Sequence, residues 1–156
     1  MRLVLLAASN RQPAWVSEGF DSYAKRLRGS LRLDIEEIPL ARRPSAAAAR
    51  RAAETEGTRM LASIPDAAHV VALTEAGTMW STRELAARLR DWIAAGRPVY
   101  LLIGGPDGLS ESCLARADEN WSLSRLTLPH GLARIAVAEA LYRAWSVLER
   151  HPYHRE

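Results

Sequence analysis

The sequence predicts an α/β fold, a mainly parallel sheet with helices on both faces. Three observations predict it. Strand-like and helix-like blocks alternate along the chain in the order β-α-β-α-β-α-β-α-β-α. The most apolar blocks, 3–8 and 98–103, are short continuous runs, as in strands buried on both faces. A chain of 156 residues, 48% hydrophobic and 25% charged, has the size and composition of one domain with its own core, spanning 1–156.

Each element has a local reason. Leu3 to Ala8 is the first strand. Pro13 opens a helix, where its fixed φ suits the first turn; Trp15, Val16, Phe20, Tyr23 and Leu27 recur at helical spacing, and Gly29 marks the end. Leu31, Leu33 and Ile35 alternate with Arg32, Asp34 and Glu36, the period of a strand, which Pro39 stops. Ser45 to Ile64 is alanine-rich and helical by composition, with Ser45 as its N-cap. His69 to Leu73 is the third strand. Ser81 and Glu84 form a capping box for a helix whose apolar face is Leu85, Leu89, Trp92 and Ile93, closed by Gly96. Pro98 to Ile103 is the central strand, and Ser110 to Ala117 a short helix. Trp121 to Leu128 alternates as a strand, with Leu123 and Leu126 out of phase by one, as at a bulge or bend. Gly131 to Arg150 is the last helix.

Composition excludes several classes. The single cysteine, Cys113, rules out an intrachain disulfide and a cysteine-based metal site. The four histidines, 69, 130, 151 and 154, have no metal-ligand spacing, so no metal is expected. The opening apolar stretch is too short for a signal sequence or a membrane span, which predicts a cytoplasmic protein away from membranes. Of 21 basic residues, 20 are arginine, and the net charge of +3 permits nucleic-acid binding without demanding it. Two basic sets lie near loops: Lys25, Arg26, Arg28 and Arg32, then Arg42, Arg43, Arg50 and Arg51. They read either as solvated faces or as a phosphate-contacting surface.

Three segments can carry chemistry. Gly104-Gly105-Pro106-Asp107-Gly108 directly follows the central strand, where open α/β sheets bind ligands. It lacks the dinucleotide and P-loop spacings, and reads equally as a tight turn. The Pro129-His130-Gly131 break before the last helix reads as an ordinary loop or as an anion-favouring helix N-terminus. On the last helix, Glu139, Arg143, Ser146 and Arg150 form a polar stripe, and Glu139–Arg143 has the spacing of an exposed salt bridge. The terminal HPYHRE reads either as a disordered tail or as an arm that reaches into a site.

LLIGGPDGL, NWSLSRLTLPH, AEALYRAWS and HPYHRE, with Pro13 to Trp15 and the Gly19-Phe20 pair, closely resemble the RlmH family, small bacterial SPOUT-class methyltransferases that modify a pseudouridine in 23S ribosomal RNA. The resemblance covers essentially the whole chain. It implies a SPOUT-type α/β knot with a C-terminal trefoil, a homodimer with cofactor sites at its interface, S-adenosyl-L-methionine as cofactor, N3-methylpseudouridine as product and the assembled 70S ribosome as substrate. It implies cofactor-binding positions at Leu73, Gly104, Leu123, Ser124, Arg125, Leu126, Thr127 and Leu128, with Gly105 and Pro106 in the same pocket and Arg125 acting through its backbone. For the acceptor, a proton must leave N3. The expectation is that Tyr153, His154 and Arg155 of one subunit approach the cofactor of the other, with His154 as base or relay, Arg155 or Arg143 orienting it, and Glu139 as runner-up. The rival functions are a non-catalytic ribosome-associated factor and a flavodoxin-like nucleotide- or flavin-binding module. The last is disfavoured because Ala8-Ser9-Asn10-Arg11-Gln12 lacks glycine.

Overall fold

Five parallel strands form the centre of the computed structural model, which describes residues 1–29 and 31–155. The strands are β1 (Arg2–Ala8), β2 (Arg32–Ile38), β3 (His69–Met79), β4 (Val99–Ile103) and β5 (Glu119–Ser122), in the spatial order β2-β1-β4-β3-β5. The expected central strand is therefore central. The helices are α1 (Ala14–Ala24), α2 (Ala49–Ser63), α3 (Thr82–Ala95), α4 (Glu111–Arg116) and α5 (His130–Leu148), with short 3₁₀ turns at Ala46–Ala48 and Pro152–Arg155.

Strand periodicity sorts the core into two layers. Leu3, Leu5, Ala7, Leu101 and Ile103 face one way, onto Phe20 of α1, Leu85 and Leu89 of α3, and Val137 and Leu141 of α5. Val4, Leu6, Ala8 and Leu102 face the other, onto Met60 of α2 and Cys113 of α4. Because both faces are covered, β1 and β4 are uninterrupted apolar runs in sequence. α5 packs against both α1 and α3, so it is buried on most of its circumference.

Local signals held where the chemistry is local. Ser81 accepts from the Glu84 amide at 3.1 Å, and Glu84 Oε2 accepts from the Ser81 amide at 2.7 Å. Gly96 closes α3 with φ at 72°, a left-handed conformation that suits glycine.

Three elements differ from the sequence reading. The helix expected from Ser45 begins as a 3₁₀ turn, without a side-chain cap from Ser45, before α2 starts at Ala49. The third strand continues beyond Leu73: after a bulge, Thr78 and Met79 pair with Trp121 and Ser122. Gly77 sits at that close approach, where a Cβ would lie 2.8 Å from the backbone of Asn120 and Trp121. The strand expected over Trp121–Leu128 lies earlier, at Glu119–Ser122. Residues 123–128 leave the sheet as a loop, and all of them but Arg125 line a cavity, so the strand-like alternation has no structural counterpart there. Among the described residues, no helix is long and apolar enough to cross a membrane.

Candidate active site

The carboxyl ends of β1, β3, β4 and β5 open into one cavity of about 820 Å³. That location follows from parallel topology, since the loops leaving all strands converge on one edge of the sheet. Its walls are Ala8–Asn10, Leu73–Ala76, Ile103–Leu109 and the 121–128 loop, closed by His130 and Ala133 of α5. The volume lies within the range of small-molecule sites.

Nine of the ten expected cofactor positions line this cavity: Leu73, Gly104, Gly105, Pro106, Leu123, Ser124, Leu126, Thr127 and Leu128. Arg125 does not line it; its side chain is exposed, in keeping with an expectation that rested on its backbone. The 123–128 loop braces itself. Ser122 Oγ donates to the Ser124 carbonyl at 3.0 Å, and the Leu126 amide donates to Ser124 Oγ at 2.9 Å. Leu126 is 75% exposed, an apolar side chain at the mouth.

The glycine segment is both a tight turn and a cavity wall, so the two readings of the sequence coincide. The Gly108 amide donates to the Gly105 carbonyl at 3.0 Å, and Gly108 has φ at 78°. A Cβ on Gly104 would come within 2.6 Å of the Leu109 amide nitrogen, so no larger residue fits the turn as built.

At Pro129-His130-Gly131, which reads in sequence as an ordinary loop or a helix N-terminus, the structure adds a cavity-lining residue. His130 lines the cavity, with its ring against the Gly104 backbone. Its Nε2 is buried with no hydrogen-bond partner among the described residues. Burial, aided by the nearby Arg134 guanidinium, pushes its pKa below the ordinary histidine value, so the ring is neutral at pH 7. A buried, unpartnered ring nitrogen on a cavity wall fits a bound ligand. Arg134 is itself buried; it donates to Glu37 Oε1 at 3.0 Å and to Ser9 Oγ. Ser9 and Asn10 also line the cavity. Their signal was available, because they stand at the carboxyl end of β1.

The second expected cluster assembles elsewhere. Arg143 donates to Glu139 Oε1 through Nε at 2.8 Å, and the Tyr153 hydroxyl donates to the same oxygen at 3.2 Å. Each side chain of the Glu139–Arg143 pair is 27% exposed, so this is not the exposed bridge the spacing suggested. Ser146 is likewise fully buried rather than part of a polar stripe. Tyr153 packs edge-on against Tyr142 at 4.5 Å, and Arg143 lies 4.8 Å from the Tyr153 ring centre. Burial and Glu139 push the Tyr153 phenol up to about 12. His154 Nδ1 is buried without a partner among the described residues, and Arg155 ends the same 3₁₀ turn. The tail is thus a folded turn rather than a disordered one.

None of Glu139, Arg143, Tyr153, His154 or Arg155 lines the cavity. His130 is the first residue of α5 and the tail follows its last turn. Glu139 lies nine residues along α5 from His130, about 13 Å by helical rise, and Tyr153 folds back onto it, so the two clusters stand apart within one chain.

The basic sets divide. Arg43 is turned inward, with an 18% exposed side chain paired to Glu56 and Asp107. Arg32 pairs with Asp34 and Arg50 with Glu54. Arg26 lies 5.3 Å from the Tyr23 ring centre and 5.5 Å from that of Tyr142. Lys25, Arg28, Arg42 and Arg51 are exposed. His69 is bonded through Nε2 to Glu119 Oε2 at 2.6 Å.

Comparison with known proteins agrees with this architecture. Residues 1–154 match the family model described as "Predicted SPOUT methyltransferase". The chain is 53% identical over 156 residues to the ribosomal RNA large subunit methyltransferase H of Thioalkalivibrio sulfidiphilus, covering 100% of both chains. It is 52% identical over 155 residues to the protein of that name from Alkalilimnicola ehrlichii, covering 99% of each. In fold it is similar to the solved structure of a probable methylase family protein from Haemophilus influenzae, with a TM-score of 0.55 at 17% identity over 97% of this chain and 68% of that one. A cavity at the strand ends, built from the positions that the motifs mark, and a match along the full length point the same way: the chain belongs to the RlmH family of SPOUT methyltransferases.

Proposed function

We propose that this protein transfers a methyl group from S-adenosyl-L-methionine to N3 of a pseudouridine in 23S ribosomal RNA, acting as a homodimer on the assembled 70S ribosome. The observation that carries the reading is the cavity walled by nine of the ten expected cofactor positions. Relatives sharing about half their residues with this chain bear the name of a large-subunit ribosomal RNA methyltransferase. A C-terminal trefoil knot belongs to the same proposal.

When bound, S-adenosylmethionine supplies an activated methyl on a sulfonium centre. Its positive charge is lost on transfer, so a cavity walled by Leu73, Ile103 and Leu123 suits it. The backbone of 104–106 and of 123–128 supplies edges for the adenine and ribose. Alignment of donor and acceptor is the main task, worth ~7–11 kcal/mol of barrier when complete.

The tail prepares the acceptor. His154 takes the N3 proton as base or relay, while the new N–C bond forms and the sulfur–methyl bond breaks. Tyr153 holds its own proton at neutral pH and serves as a donor to Glu139. Glu139, held by Arg143 and Tyr153, orients the turn, and Arg143 or Arg155 offsets the negative charge that deprotonation of N3 places on the pseudouridine ring. Because no residue of the tail lines the cavity of its own chain, the tail of a second copy serves each cavity. The same geometry keeps one rival in view: a chain that binds ribosomes with its cavity but never brings a tail to it is a binding factor rather than an enzyme.

Labelled S-adenosylmethionine, the purified protein and ribosomes lacking the modification test this reading. Intact 70S particles, 50S subunits and bare 23S RNA are compared, and the product nucleoside is identified by mass spectrometry. Label at N3 of pseudouridine, greatest with 70S, is the expected result. No label on any particle would overturn it in favour of the binding factor.

A further inference from the structure

Glu56 lies on α2 and is 2% exposed, although it is a carboxylate. A buried charge persists only when paired and hydrogen-bonded, and Glu56 has three such contacts. Oε2 accepts from Arg43 Nη1 at 2.6 Å and from the Ala41 amide at 3.0 Å, and Oε1 accepts from Arg43 Nη2 at 2.9 Å. This is the two-pronged arginine–carboxylate geometry that fixes orientation as well as charge. The carboxylate also limits the space at Gly105. A Cβ on Gly105 would lie 2.8 Å from Glu56 Oε1, so the loop backbone rests flat on the carboxylate.

Arg43 has one more donor, and it points into the cavity wall. Its Nε donates to Asp107 Oδ2 at 2.6 Å. Asp107 stands on the 104–108 turn that forms one wall of the cavity, and its side chain is 37% exposed. Arg43 Nη1 also donates to the Ala41 carbonyl at 3.0 Å, which fixes the 39–45 segment against the same group. One guanidinium therefore joins three pieces of chain: a buried point on α2, the segment before it, and the tip of the glycine turn.

We infer that Glu56, Arg43 and Asp107 form a clamp that sets the glycine turn at the right depth in the cavity, making them positioning residues for the cofactor. The inference rests on the proposed cofactor reading. Arg43 and Glu56 do not line the cavity, so they act through the turn. Asp107 does line it, and the test must separate a tether from a direct ligand contact.

Binding of S-adenosylmethionine to the full chain is measured by calorimetry for wild type, Asp107→Asn, Asp107→Glu, Glu56→Gln and the Asp107→Asn/Glu56→Gln pair. Amide exchange across 104–109 and thermal stability are recorded on the same samples. Asp107→Asn is expected to weaken binding roughly 5- to 30-fold with little change in thermal stability, because its half-exposed pair contributes little globally. Exchange should quicken in the turn and not in α2. Asp107→Glu should recover part of the affinity. Losses in the pair should be smaller than the product of the single losses, since both substitutions release the same tether. Wild-type affinity in the single variants, or fully multiplicative losses, would overturn the clamp; the second result would make Asp107 a direct contact. If Glu56→Gln does not fold, the two Asp107 variants and the exchange data decide. A wild-type chain that fails to bind S-adenosylmethionine would overturn the cofactor reading instead, and unchanged exchange in Asp107→Asn would then refute the clamp separately.

Discussion

The Tyr153 hydroxyl donates to Glu139 Oε1 at 3.2 Å, latching the terminal turn onto the middle of α5. Tyr153→Phe removes that donor and should cost about 0.5–1.5 kcal/mol of stability. It also removes an ionisation. The phenol's pKa is raised in the folded state from 10.0 to about 12, so its contribution to stability is complete below pH 10 and is lost as pH rises from 10 to about 12. Alkaline titration of tyrosinate absorbance should show a late-titrating group that is missing in Tyr153→Phe. A variant with the wild-type titration curve would refute the assignment.

Gly104 is enclosed by the backbone of its own turn. Gly104→Ala would bring a methyl within 2.6 Å of the Leu109 amide nitrogen, and backbone cannot swing aside as a side-chain tip can. The expected cost is about 1–3 kcal/mol with at least tenfold weaker cofactor binding. Calorimetry and chemical denaturation read the two separately, and tight binding in Gly104→Ala would show that the turn can open without loss.

His130 is neutral in the folded chain because burial and Arg134 disfavour its charge. A histidine with a lowered pKa stabilises the fold above its unfolded value of 6.5, and that stability is lost as pH falls through the lower folded value. Denaturation midpoints taken above and below pH 6.5 should fall more on acidification in wild type than in His130→Gln. Equal acid sensitivity in both would exclude His130 as the cause. A His130 resonance titrating at or above 6.5 by NMR would contradict its neutral form.

Cys113 is fully buried beneath α2, and burial pushes its thiol up. A thiolate is the reactive form. The native protein should resist a thiol reagent at neutral pH and react promptly once denatured. Reaction of the native chain at the rate of a free cysteine would show that α2 and α4 part readily.

The features legible in the sequence are those whose causes lie within a few residues. The Ser81–Glu84 box and the Gly96 stop need only one turn of helix. The central place of 98–103 follows from its unbroken apolar run. Leu123 to Leu128 show where local reading fails, since the strand-like period runs on past Ser122 while the chain leaves the sheet to wall the cavity. The extension of β3 through Thr78 was hidden because Thr74 to Gly77 carry no apolar period. Arg43, Glu56 and Arg134 look like surface charges in a linear string, and their burial depends on partners 13 to 125 residues away. The nine cavity positions came from the family resemblance, whereas His130, the last residue of NWSLSRLTLPH, carries no local mark of its exposure to the cavity.

The strand order also shapes how the chain comes into being. β1 pairs with β4, Leu3 standing opposite Val99, so an edge of the first strand has no permanent partner until nearly two thirds of the chain exists. At ordinary synthesis rates that interval is roughly 5–20 s. During it, a fully apolar strand carries open backbone donors and acceptors on its inner side. Parallel pairing offers no hairpin to shield them early. The edge strand β2 is available to pair with β1 early, whereas the central β1–β4 pairing has to wait for residues 99–103. A ribosome-bound fragment ending before Val99 should be captured by chaperones and digested by protease, and only a chain that includes α5, which completes the core, should escape both.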